Sequence, residues 1–211
     1  MTRIVAGSAK GRTLAVPKSG TRPTSERVRE ALFSRLDHMN VLRGATVLDL
    51  FTGTGALGLE ALSRGAARAT LVERASAAAR VVTANVRATG LPAHVVTADA
   101  RTYLAARSSD ALEGEVDLVF IDPPYDIAEE DMTEVLSGLA PWIGPDSLVL
   151  VERSTRVPPP SWPTFLVLED ARTWGETVVY FAGPPLPEEH ERGDSDGCGG
   201  TPASSGEEHD R

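Results

Sequence analysis

The chain has 211 residues, 41 % of them hydrophobic, and a formal charge of −9 at pH 7. That length and apolar content suffice for one sizeable core. No stretch approaches the roughly 18 apolar residues of a membrane-crossing helix, and the opening MTRIVAGSAK lacks the apolar segment of a secretion signal, so a soluble cytoplasmic protein is expected. A single cysteine, Cys198, excludes an internal disulfide, and His38, His94, His190 and His209 show no metal-ligand spacing, so no structural metal is expected.

In chain order, RIVAG and RTLAV flank SAKG and alternate as a short hairpin, followed by the turn residues GTRPT. From Ser25 the apolar positions Val28, Ala31, Leu32, Leu36 and Met39 predict a helix capped by Thr24 or Ser25, with Arg27 and Arg29 off the apolar stripe. Eight Lys or Arg against Glu26 and Glu30 give residues 1–35 a charge of +6, an electrostatic footprint for phosphate. A regular alternation then begins: strand 46–50, helix 56–64 closed by Gly65, strand 69–73, helix 75–89 closed by Gly90, and strand 94–98. It continues with a short helix after Asp99, strand 116–121, helix 129–139 and strand 147–152. Strands alternating with helices predict a mostly parallel sheet covered on both faces. FLVLEDARTWGETVVYFA, with two strand-like runs and no helix between, predicts an antiparallel closing hairpin. Residues 184–211 hold eight acids against Arg192 and Arg211, a charge of −6, with almost nothing apolar after Leu186, and read as a disordered acidic tail.

In such a sheet the ligand lies beyond the carboxyl ends of the strands, and four strands here end in marked residues: Asp49, Glu73, Asp99 and Asp122-Pro123-Pro124-Tyr125. DLFTGTGALG contains Gly53-x-Gly55-x-x-Gly58, with Glu73 about twenty residues on, which alone permits a dinucleotide. Asp49 decides against one, because it would repel a pyrophosphate on the following helix N-terminus. S-adenosylmethionine brings no phosphate and carries an ammonium and a sulfonium, so acids there attract it. Asp99 could accept from an adenine amino group or cap the helix beginning near Arg101.

IDPPYD suits methyl transfer to an exocyclic amine of a base, whose lone pair is delocalised into the ring. Asp122 and the Pro123 carbonyl can accept its two N–H groups, proline fixes φ, and Tyr125 can stack on an extruded base. The motif by itself leaves several targets open: a guanine amine, adenine N6 in DNA or RNA, or a protein glutamine. A noncatalytic RNA-binding assembly factor on the same fold is the alternative from another class.

RIVAGSAKGRTLAVP, GTRPTSERVREALFSRL, VLDLFTGTGALGLEALSRGA, IDPPYD and RTWGETVV, in this order over residues 3–182, resemble the RsmD family of bacterial methyltransferases acting on N2 of a guanine in 16S ribosomal RNA. The resemblance implies a Rossmann-like, class I methyltransferase with a seven-stranded, mostly parallel sheet and a small N-terminal hairpin and helix. It implies S-adenosylmethionine held by Asp49, Phe51, Gly53, Gly55, Glu73, Asp99 and Ala100, and the target amine at Asp122, Pro123, Pro124 and Tyr125. Arg3, Lys10, Arg12, Arg22, Arg27 and Arg29 would contact RNA of the small subunit or its assembly intermediate. The expected division is residues 1–40 for RNA contact, 41–183 for catalysis and 184–211 as the tail, in a monomer. Thr52 and Thr54 depart from the family pattern, where Ala and Ser are expected.

Overall fold

The computed structural model describes residues 2–17, 26–106 and 116–185. The expected acidic tail, the Thr24 or Ser25 cap and Arg22 lie outside them. Strand β1 (Thr2–Arg3) pairs antiparallel with β2 (Thr13–Leu14), a shorter ladder than the sequence predicts. Helix α1 spans Glu26–His38, with Glu26 in the first turn and Arg35 and His38 in the last, charges that suit its dipole.

The alternation then runs β3 (Thr46–Leu50), α2 (Ala56–Ser63), β4 (Arg68–Glu73), α3 (Ser76–Thr89), β5 (Ala93–Thr97) and α4 (Ala100–Ala105). It ends with β6 (Val116–Ile121), α5 (Glu129–Ser137), β7 (Ile143–Ser154), β8 (Val167–Trp174) and β9 (Thr177–Gly183). Gly90 closes α3 at φ 71°, a conformation that glycine adopts without steric cost. Strand β7 starts four residues before the apolar run SLVLVE, because the Trp142 carbonyl and Ile143 already pair with Val116.

These strands form one seven-stranded sheet in the order β5-β4-β3-β6-β7-β9-β8. The five strands from β5 to β7 are parallel and β9 is antiparallel to both its neighbours, as the sequence leads one to expect. Side chains alternate between two cores. Val47, Leu118, Phe120, Leu148 and Leu150 pack with residues of α1, α2 and α3, whereas Leu48, Leu50, Val119, Ile121, Val149 and Val151 pack with α4 and α5. Ile4, Leu14, Leu32, Phe33 and Leu36 belong to the first of these clusters, so the N-terminal segment shares the sheet's own core.

The path β3 to β4 to β5 proceeds outward, and the chain then returns to place β6 on the other side of β3. This reversal opens a crevice between the carboxyl ends of β3 and β6. Asp49 stands opposite Phe120 and Leu50 opposite Ile121, so the glycine loop and Asp122 emerge side by side.

Candidate active site

A cleft of about 680 Å³ lies over these strand ends. Its walls include Asp49, Phe51, Gly53, Glu73, Asp99, Ala100 and Asp122 to Tyr125. Of the expected cofactor and catalytic residues only Gly55 is set back from it. Gly55 adopts φ 80°, and a Cβ there would sit 3.2 Å from both Leu59 Cδ1 and Val82 Cγ1. Its part is to turn the chain into α2 and let that helix pack closely.

The loop between β3 and α2 is wound tightly, with Phe51, Gly53 and Gly55 all at positive φ. Two acids hold it in that shape. Asp49 Oδ2 accepts from Thr52 Oγ1 at 2.8 Å and from the Gly58 N–H at 3.0 Å. Glu73 accepts from the Gly53 N–H at 3.0 Å through Oε2 and from the Ala75 N–H at 2.8 Å through Oε1. Gly58 packs closely against β4, where a Cβ would stand 2.3 Å from Leu71 Cδ2 and displace that side chain. Thr52, marked above as a departure from the family pattern, thus gains a hydroxyl that serves Asp49.

Burial pushes the Asp49 carboxyl up to about 7; the bonds from Thr52 and Gly58 oppose the rise, and the charges of Asp122 and Glu73 add to it. Its Oδ1 is buried and has no hydrogen-bond partner among the described residues. Asp99 caps α4, its Oδ1 accepting the Arg101 N–H at 3.0 Å. Arg101 extends from there to Asp131 and Glu134, tying α4 to α5 on the cleft wall.

In the loop after β6, Pro123 is buried and Pro124 exposed. The Pro124 carbonyl accepts the Ile127 N–H at 3.1 Å, closing a turn that holds Tyr125 outward at 59 % exposure. Tyr125 thus presents its ring to solvent three residues after the half-buried Asp122.

Residues 2–183 match the model of the family Conserved hypothetical protein 95. The chain is 36 % identical over 178 residues to Ribosomal RNA small subunit methyltransferase D of Escherichia coli K12, covering 83 % of this chain and 86 % of that protein. The chain belongs to the RsmD family. Among solved structures, that of Escherichia coli yhhF is similar with a TM-score of 0.74 and 33 % identity, over 88 % of this chain and 98 % of that one. A hypothetical protein of Thermus thermophilus gives 0.73 and 32 % over 86 % and 98 %. The fold is that of the class I methyltransferases, and the RsmD family is a family of methyltransferases.

The basic residues expected to meet RNA divide in this RsmD chain. Arg3, Lys10, Arg12 and Arg27 are exposed. Arg29 is not on the solvent face: it is fully buried, and that expectation is corrected. The inward face of α1 carries Arg29, Leu32, Phe33 and Leu36, a spacing of three, four and seven that puts the arginine on the apolar stripe itself. Its Nη2 donates to the Arg3 carbonyl at 2.5 Å and its Nε lies 3.8 Å from Glu60 Oε2. Desolvation lowers its pKa, and the nearby Glu60 partly restores it.

Residues outside the quoted motifs' expected roles fix the N-terminal arm. Glu60 accepts from the Val5 and Ala6 N–H groups at 2.7 and 2.9 Å, and Ser63 Oγ from Ala9 at 2.9 Å. Asn85 exchanges two bonds with Ala15 and donates to the Thr54 carbonyl at 2.9 Å. Glu60 had one visible signal, an acid inside the apolar helix ALGLEALS, all of which is buried. Asn85 gave none beyond its helical position.

Proposed function

We propose that the chain transfers a methyl group from S-adenosylmethionine to the exocyclic N2 of a guanine in 16S ribosomal RNA of the small ribosomal subunit or its assembly intermediate. The observation that carries this reading is the single cleft in which Asp49 and Glu73 face Asp122 to Tyr125. The ribosomal substrate rests on the name of the Escherichia coli relative.

The donor set suits this cofactor and disfavours a dinucleotide. The Gly53 and Gly58 N–H groups, which would cradle a pyrophosphate, are already taken by carboxylates. What they leave is an acidic wall with the unpartnered Oδ1 of Asp49, matched to a cation. Asp49 and the loop from Phe51 to Gly55 would hold the methionine part, Glu73 the ribose hydroxyls, and Asp99 Oδ2 with Ala100 the adenine. When bound, the cofactor supplies an electrophilic methyl group on its sulfonium.

Asp122 and the Pro123 carbonyl accept the two N–H groups of the target amine and turn its lone pair away from the ring. Asp122 is not a strong base: a carboxylate cannot deprotonate a neutral arylamine, whereas the alkylated ammonium loses its proton readily. Orientation and charge therefore supply most of the acceleration. Tyr125 stacks on the base, a contact of roughly 1–3 kcal/mol. Arg3, Lys10, Arg12 and Arg27 contact phosphates, residues 1–40 serving the RNA and 41–183 the chemistry, in a cytoplasmic monomer.

Isotope-labelled S-adenosylmethionine and undermethylated small subunits test the reading. Label should appear in N2-methylguanosine and fall by about 100-fold or more with Asp122→Ala, with cofactor affinity kept. Label in N6-methyladenosine would move the substrate, and no label on any particle or naked RNA would leave a binding protein.

A further inference from the structure

A second carboxylate stands beside Asp122. Strands β6 and β7 run parallel with Phe120 opposite Leu150 and Ile121 opposite Val151, so the next step along each sets Asp122 next to Glu152. Alternation points both the same way: Phe120 and Leu150, two residues before each acid, lie in the one cluster on the α1 side. The two acids line one small pocket together with Pro123, Pro124, Tyr125, Arg153, Ser154 and Val157. Glu152 follows the apolar run Leu148 to Val151 and is only 8 % exposed. Two neighbouring carboxylates present side-by-side acceptors, which a pair of adjacent donors would match.

Guanine offers such a pair. Its N1–H lies next to the N2 amino group, so two side-by-side acceptors meet two side-by-side donors. Adenine presents an amino group next to the N1 lone pair, which a second carboxylate repels. We propose that Glu152 accepts the N1–H of the target guanine while Asp122 holds its amino group, which makes Glu152 the residue that selects guanine. This rests on the guanine-N2 reading given above.

The test uses small subunits reconstituted with 16S RNA that carries guanine or 2-aminopurine at the modified position. 2-Aminopurine keeps the amino group but has a lone pair at N1 and no carbonyl at C6. The full-length chain should prefer guanine by about 100-fold or more in kcat/KM, as a site built for a hydrogen bond rejects the analogue lacking it. Glu152→Gln, whose amide can turn its NH2 toward a lone pair, should bring the two bases within roughly tenfold. Loss of the C6 carbonyl affects both proteins alike, so the change in ratio isolates Glu152. Equal rates on both bases with the unaltered chain, or a ratio that Glu152→Gln leaves unchanged, would overturn the proposal. Should the amide variant not fold, Glu152→Asp gives the same comparison: a loss confined to guanine supports the assignment, and equal loss on both bases overturns it. Absence of label on the guanine particle with the unaltered chain overturns the function itself, and is visible before any variant is made.

Discussion

Asp49 is a carboxyl group that water does not reach, and its titration is therefore tied to what binds beside it. Burial holds it near 7, so in the free protein it is largely neutral at pH 6 and charged at pH 8. A cation favours the charged form, so affinity for S-adenosylmethionine should rise as pH goes from about 6 to about 7.5. It should level off as the ligand's own amino group loses its proton near 8. Calorimetric titration with Asp49→Asn alongside checks this: the variant should bind more weakly with a flat profile, and a flat profile in the unaltered chain would contradict the assignment. The effect on stability has the opposite sign. A folded pKa above the unfolded one means that the fold binds the extra proton, so this group's contribution is present at about pH 4 and is lost as pH rises to about 7. Arg29 belongs to the same scale. Removing one partner of a buried charge network costs about 3 kcal/mol or more, so Arg29→Ala should shift denaturant midpoints strongly, whereas Arg27→Ala, on the exposed face, should not.

The N-terminal arm behaves as an element because α2 and α3 hold its backbone. Gly7 is the tightest point: at φ +80° a Cβ there would lie 1.8 Å from the Ser63 carbonyl oxygen. Gly7→Ala should lift the arm and lower RNA affinity at least about tenfold, with cofactor affinity unchanged, as measured by filter binding and calorimetry. Individual Arg12→Ala or Arg27→Ala changes should instead weaken binding to all RNA sequences and reduce the salt slope by about 1 each. The strands and most helices were legible in the sequence because apolar runs, alternating elements and closing glycines at 65 and 90 mark them directly. The inward face of α1 is not legible at Arg29, because a period of 3.6 fixes a face only to within one residue. The charged side chain argued for solvent, while its partner, Glu60, lies 31 positions away on another helix. The acids of the cleft were legible as strand-ending residues, and Thr52 was visible only as a departure. The order of the strands carries no signal in the sequence, and neither does the neighbourhood of Glu152, which only the pairing of β6 with β7 reveals.

For the molecule as a whole, the charge of −9 is a sum of unlike parts. The exposed cations of the arm contrast with a cleft walled by Asp49, Glu73, Asp99 and Asp122, so the net charge describes neither surface. Among the described residues the last strand ends at Gly183, so a chain stopped at Pro185 should keep its Tm and its methylation rate; loss of either would give the acidic segment a role. Among the described residues no helix is long and apolar enough to cross a membrane. The position of β9 also sets a timetable for synthesis. It lies between β7 and β8 although it follows both in the chain, so β7 is synthesised with one edge unpaired and its partner still to come. At roughly 5–20 residues per second the interval between Ser154 and Thr177 lasts on the order of one to five seconds. For that time the nascent chain carries an open, apolar strand edge, and the half of the sheet beside the loop from Asp122 to Tyr125 closes only once β9 has been made.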